Sequence, residues 1–189
     1  MNRSIYLLGL VLLSFVFVSC GDDSDEIDYA WKAANEAAFD AISKDQSYNE
    51  LKSASRNGSV YWKRSDVLTN DTLITNSLSL RITPEGTPEY TDSVTVRYEG
   101  WYYQTDGTKY IFDTTEKDYN KTPRQFAVKG VVDGWSTALQ DMVEGEEREI
   151  VIPWKLGYGS TGSSSIAAYT TIYFNVKLIK IIQMTGRTS

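Results

Sequence analysis

The chain has 189 residues, a formal net charge of −6, one cysteine and no histidine. The negative balance argues against nucleic-acid binding, which asks for a basic face. The missing histidines remove the commonest general base and metal ligand, so neither a zinc site nor a Ser-His-Asp triad can be built here, and no cofactor is implied.

The N-terminus begins with Arg3, followed by a nearly unbroken apolar run from Ile5 to Val18. That run is shorter than the ~20 residues a bilayer span needs, and it closes on Val18-Ser19-Cys20. The pattern is that of a signal peptide over residues 1–19 with Cys20 as the lipidation site of a lipoprotein, although Phe17 stands where leucine is commoner. The alternative is a membrane anchor with an incidental cysteine. Once Cys20 is acylated no thiol is left for catalysis or metal binding. Residues 20–26 read as an acidic tether. Gly21-Asp22-Asp23-Ser24-Asp25-Glu26 also resembles the stretch that sends some Bacteroidetes lipoproteins to the outer face of the outer membrane. The expected location is the cell envelope, lipid-anchored in the outer membrane, on its periplasmic or its external side.

Residues 27–57 predict a helical extension. Ile27, Trp31, Ala34, Ala38, Ala41 and Ile42 recur at spacings of three and four, which places them on one helical face. A second short helix is expected near Tyr48 to Ala54, stopped by Asn57-Gly58. The pair would pack on the main domain, act as a spacer or form a dimer contact.

From Gly58 onward the texture is that of strands: Val60-Tyr61-Trp62, then Leu78 to Ile82 after the polar stretch Thr69 to Ser77, then a turn at Pro84-Glu85-Gly86-Thr87-Pro88. Ser93 to Tyr98 alternates, with Val94, Val96 and Tyr98 opposite Thr95 and Arg97. Glu147 to Ile152 and Thr171 to Ile179 do the same, the latter with Ile172, Phe174, Val176 and Leu178 on one face and Tyr173, Asn175 and Lys177 on the other. Between them Trp135, Ala138, Leu139 and Met142 mark one face of a short helix, Gly134 to Val143, with Asp133 as its cap. The fold class is α+β: a twisted antiparallel sheet wrapped over one short helix, in a domain spanning residues 58–184.

Six segments of that domain resemble, in order, the motifs of the FKBP-type peptidyl-prolyl isomerases. They are Val94-Thr95-Val96-Arg97-Tyr98-Glu99-Gly100; Asp106-Gly107-Thr108 with Phe112-Asp113-Thr114-Thr115; Val131-Val132-Asp133-Gly134-Trp135; Glu144-Gly145-Glu146; Ile152-Pro153-Trp154-Lys155-Leu156-Gly157-Tyr158-Gly159; and Thr171-Ile172-Tyr173-Phe174-Asn175-Val176-Lys177-Leu178. The resemblance implies a prolyl pocket with Trp135 as its floor and Tyr98, Phe112, Val131, Val132 and Phe174 as its walls. Asp113 would lie at the rim, Tyr158 would offer its hydroxyl to a bound carbonyl, and the backbone N–H of Ile166 would meet the ligand's carbonyl. Departures are also visible. Arg124 replaces a usually aromatic wall residue, Phe126 takes the next inward position of that strand, and Ala167-Ala168 replaces the usual Pro-Pro.

The implied activity is cis-trans isomerisation of X-Pro bonds in exported or envelope proteins, with proline-containing polypeptides and macrolide inhibitors as ligands and a membrane attachment through lipid. The alternative is a related lipoprotein that binds proline peptides, or acts as an adaptor, with weak or no turnover. Each site residue also has a plainer reading: Trp135 and Phe174 as core, Tyr98 and Tyr158 as packing aromatics, Asp113 as a turn residue.

Overall fold

The computed structural model describes residues 28–68, 86–117 and 121–183. The signal peptide, Cys20, the acidic tether, Ile27, the polar stretch Thr69 to Ser77, the predicted strand Leu78 to Ile82, Pro84-Glu85 and Met184 lie outside the described residues.

Helix α1 runs over Tyr29–Lys44. Asp28 begins it, its side chain accepting a hydrogen bond from the Trp31 N–H at 2.9 Å, which satisfies one of the donors that every helix leaves open at this end. The face that meets the domain is rotated from the predicted one and shares Trp31 and Ile42 with it. Ala34, Ala38 and Ala41 are exposed, and the inward side carries Trp31, Asn35, Phe39 and Ile42. Burying aromatic rings removes far more apolar area from water than burying methyl groups does, so the rings set the rotation of the helix.

No helix forms over Tyr48 to Ala54. Residues Asn49–Lys52 form strand β1, paired antiparallel with β2 (Ser59–Arg64) so that Leu51 lies opposite Val60. The Asn57-Gly58 signal that predicted a helix stop instead closes a hairpin, with Gly58 at φ +137° and the Ser53 N–H donating to the Gly58 carbonyl at 3.0 Å. Turn chemistry of this kind serves either ending equally well.

The remaining strands are β3 (Ser93–Tyr103), β4 (Lys109–Thr114), β5 (Arg124–Ala127), β6 (Glu147–Ile152) and β7 (Ile172–Ile182). They join in one antiparallel sheet of order β1-β2-β6-β7-β3-β4, with β5 also paired to β3. Helix α2 (Asp133–Leu139) lies across one face. It is shorter than predicted, and Asp133 does not cap it. Val132 holds the cap position, while the Asp133 carboxylate accepts from the Ser53 hydroxyl at 2.9 Å and so ties the helix start to the β1–β2 hairpin. Gly134 lets the helix approach the sheet, because a Cβ there would stand 2.3 Å from Ile152 Cγ2.

The main core fills the space between α2 and the sheet with Val94, Val96, Ile150, Ile152, Ile172, Val176 and Leu178. A second cluster of Trp101, Val151 and Tyr173 occupies the other face, covered by Phe39 and Ile42 of α1 and by Tyr48. Both faces of β7 are therefore covered, since Tyr173, Asn175 and Lys177 are buried as well. Alternation correctly separates the two faces, but one of them meets α1 and loop residues instead of water. Arg97, on the corresponding face of β3, is buried and paired with Glu116 at 2.6 Å, as a cation withdrawn from water requires.

Candidate active site

A cavity of about 290 Å³ opens at the concave face between β3, β4, β7 and the start of α2, near the small end of the range for ligand pockets. Eight of the nine predicted pocket residues line it: Tyr98, Phe112, Asp113, Val131, Val132, Trp135, Tyr158 and Phe174. Phe126 and Gly130 complete the wall. Ile166 does not line the cavity. Its side chain is buried in the main core, and its N–H faces the Ser163 carbonyl at 3.4 Å.

Phe112 and Asp113 are consecutive, and on a regular strand only one of them could face the pocket. A bulge resolves this. Gly100 pairs with Asp113 and Trp101 pairs with Ile111, leaving Phe112 as the extra residue of β4, and such an insertion re-aims a side chain. Gly100 supplies the room: a Cβ there would lie 2.4 Å from Phe174 and 2.8 Å from Phe112. Val131 and Val132 likewise share the cavity because they belong to an extended connection into α2, not to a strand.

Trp135 is the floor, almost fully buried and met edge-on by three rings: Tyr98 at 5.2 Å, Phe126 at 5.5 Å and Phe174 at 5.1 Å between centroids. Phe112 closes the set, edge-on to Phe174 at 5.5 Å. Edge-to-face contacts of this kind add to area burial and fix ring directions. The Trp135 indole N–H is buried with no hydrogen-bond partner among the described residues, consistent with a dry floor.

The rim is polar and mutually committed. The Tyr98 hydroxyl donates to Asp113 at 2.5 Å, and Arg124 Nη1 donates to the Tyr98 oxygen at 2.7 Å and to Asp113 at 2.9 Å. Arg124 lies opposite Val96 and Phe126 opposite Val94 in the β3–β5 register, so both belong to the pocket side of β5. The arginine turns to the rim and leaves the apolar wall to Phe126. Burial, then the bond to Asp113, holds the Tyr98 phenol well above the usual tyrosine range. Burial, then the charge of Asp113, also raises Tyr158. Both phenols therefore keep their protons at neutral pH. The Tyr158 hydroxyl meets no protein acceptor among the described residues, so it is open to a ligand. Phe126 was legible as a pocket residue from its parity with Arg124 on the strand, whereas Gly130 carried no sequence signal.

Comparison with known proteins agrees with this geometry. Residues 85–179 match the family described as FKBP-type peptidyl-prolyl cis-trans isomerase. The chain is 38% identical over 93 residues to the human peptidyl-prolyl cis-trans isomerase FKBP14, covering 48% of this chain and 42% of that protein. It is 36% identical over 111 residues to the FKBP-type 22 kDa peptidyl-prolyl cis-trans isomerase of Escherichia coli, covering 57% of this chain and 51% of the relative. The chain thus spans about half the length of these curated relatives or less. The crystal structure of a peptidyl-prolyl cis-trans isomerase from Pseudomonas syringae superposes with a TM-score of 0.61 at 25% identity, over 85% of this chain and 99% of that one.

Proposed function

The chain belongs to the FKBP-type peptidyl-prolyl cis-trans isomerase family, and from that premise we propose that it catalyses cis-trans exchange at X-Pro bonds of envelope polypeptides. The observation that carries the reading is the open apolar cavity floored by Trp135 and walled by Tyr98, Phe112, Phe126 and Phe174. The two isomers of an X-Pro bond differ by only about 0.5–1 kcal/mol, but amide resonance makes their exchange slow, with a barrier of ~18–20 kcal/mol. Rotation destroys that resonance. Water hydrogen-bonds the planar, polarised amide better than the twisted one, so a socket that grips the pyrrolidine ring and excludes water lowers the relative cost of twisting. That is preferential binding of the transition state, and it calls for neither nucleophile nor proton transfer.

In this reading Trp135 supports the ring, and Phe112, Phe126, Val131, Val132 and Phe174 exclude water. The Tyr158 hydroxyl donates to a flanking carbonyl. The Arg124–Asp113–Tyr98 network holds the mouth in shape. Ile166 contributes its backbone N–H only if a ligand displaces the long contact to Ser163. Macrolides that bury a similar ring would compete for the cavity. The catalytic domain is residues 58–184. Helix α1 braces it, because Phe39 and Ile42 of α1 pack on the same sheet. Cys20 anchors the protein by lipid to the envelope.

Arg124 at a wall position favours one rival reading, a binding module without useful turnover. A protease-coupled assay on short X-Pro peptides separates the two. Turnover lost in Phe112→Ala and in Trp135→Ala, each checked for a cooperative melt, supports the isomerase. Peptide binding with no turnover in the unmodified protein supports the module and overturns the proposal.

A further inference from the structure

A second and larger cleft, of about 890 Å³, lies where α1, the β3–β4 hairpin and the loop after Tyr158 meet. Its walls include Asp28 and Trp31 from the helix, Tyr102 and Asp106 from the hairpin, and Thr161 and Tyr169 from the loop. None of these residues lines the prolyl cavity, yet an aromatic path joins the two. The Tyr102 ring packs against Phe112 at 6.4 Å on one side and meets Trp31 edge-on at 6.0 Å on the other. Trp31 is held there by its indole N–H, which donates to the Ala168 carbonyl and the Thr170 hydroxyl, each at 3.1 Å. Phe112 and Trp31 are thus within about 12 Å, a span an extended peptide crosses in about three or four residues.

The charge of the cleft is one-sided. Asp28 and Asp106 each commit one carboxylate oxygen to a backbone N–H, of Trp31 and Thr108 respectively, and neither forms an ion pair among the described residues. Lys32 lies over the Tyr169 ring at 4.8 Å and over Trp154 at 5.7 Å and is not part of the lining. An occupant of opposite charge fits it.

We propose that this cleft is a flanking-residue subsite: a client whose proline occupies the Trp135 cavity lays its extended chain along Phe112, Tyr102 and Trp31 and places a lysine or arginine between Asp28 and Asp106. The aromatic walls pack the aliphatic stem of that side chain while the carboxylates meet its charge. The inference rests on the isomerase reading for its choice of ligand. It makes the protein selective for basic clients and gives the N-terminal helix a direct part in recognition.

The test uses peptides of about nine residues with one proline and either lysine or glutamate about three or four residues from it, placed on either side in separate peptides. Isomerisation is followed by NMR exchange and binding by calorimetry, with the full chain and with Asp28→Asn/Asp106→Asn. Asparagine keeps the helix cap and the turn acceptor, so the variant retains the fold. At low ionic strength KM and Kd for the lysine peptide on one side should be about fivefold or more below those for its glutamate partner, a gap that shrinks with salt and closes in the double variant. Turnover of a short X-Pro peptide should be the same in both proteins. Equal constants for lysine and glutamate peptides in the unmodified protein overturn the subsite, as does a gap that survives the double substitution. A lysine preference in Kd without turnover of any peptide would instead retire the isomerase reading and leave the subsite standing.

Discussion

Gly100→Ala puts one methyl group where the pocket has no room for it. The new Cβ would stand 2.4 Å and 2.9 Å from two atoms of the Phe174 ring and 2.8 Å from Phe112. Phe174 cannot retreat into the core, since Trp135 lies 5.1 Å from it and Phe112 5.5 Å, centroid to centroid, so the displaced rings move into the cavity. Overpacking of this kind costs about 1–3 kcal/mol, while replacing glycine by alanine returns about 0.4–1 kcal/mol through the unfolded chain. The net loss is ~1–2 kcal/mol, seen as a fall in Tm of about 2–8 °C for a chain of this size. Activity should suffer more than stability, with kcat/KM on a short X-Pro peptide falling about tenfold or more, equivalent to ~1.4 kcal/mol of transition-state binding. Val151→Ala is the matched control. Val151 is fully buried in the cluster beneath α1, away from the pocket, and its truncation should cost about 2 kcal/mol with turnover unchanged below the melt. A Gly100→Ala protein with lowered Tm but unaltered kcat/KM would refute the assignment of catalysis to this cavity.

Two further outcomes follow from the covered face of the sheet. Asn35→Ala removes the acceptor of the buried Thr171 N–H, now at 2.8 Å, and should cost about 1–3 kcal/mol in urea unfolding, with faster amide exchange at Thr171 and an unchanged isomerase rate. Burial holds the Tyr173 phenol at about 12 against an ordinary value of 10.0, so its contribution is fully present below pH 10 and is lost as pH rises towards 12, when the unfolded chain ionises first. That loss is about 2–3 kcal/mol, and unfolding measured across this range should show it disappear in Tyr173→Phe.

The pocket was the most legible part of the molecule, because its residues sit within ordered motifs whose spacing is set by the sheet. What the sequence hid lies where two explanations shared one signal. Asn57-Gly58 ends helices and turns hairpins alike, so the local pattern does not tell β1 from a short helix. The alanines of α1 satisfy helical periodicity, yet Phe39 and Asn35, off that stripe, determine its docking through ring burial and through bonds to Thr171. Asp133 precedes the helical run as a cap would, but a hydroxyl from Ser53, 80 residues earlier, claims its carboxylate. The backbone N–H expected to meet a ligand at Ile166 lies 3.4 Å from the Ser163 carbonyl, and the side chain fills the core. The docking of α1 and the capture of Asp133 depend on partners distant in sequence, which a local pattern cannot encode.

The replacement of an aromatic wall by Arg124 tests whether the socket must be apolar throughout or only dry where the amide turns. A free guanidinium beside the prolyl ring would hold water and stabilise the planar amide through its carbonyl, opposing catalysis. Here the cation is drawn to the rim by Asp113 and the Tyr98 oxygen, and Phe126 supplies the ring that meets Trp135. The polar groups at the mouth are thereby committed to one another. Among the side-chain donors of the cavity lining, the Tyr158 hydroxyl meets no acceptor among the described residues, and the Trp135 N–H has none there either but is sealed within the floor. One available donor can anchor a flanking carbonyl without solvating the bond that rotates. The substitution therefore preserves the physical requirement of the site while changing its surface, and differences in ligand preference should arise at the rim, where Arg124 stands, before they arise at the floor.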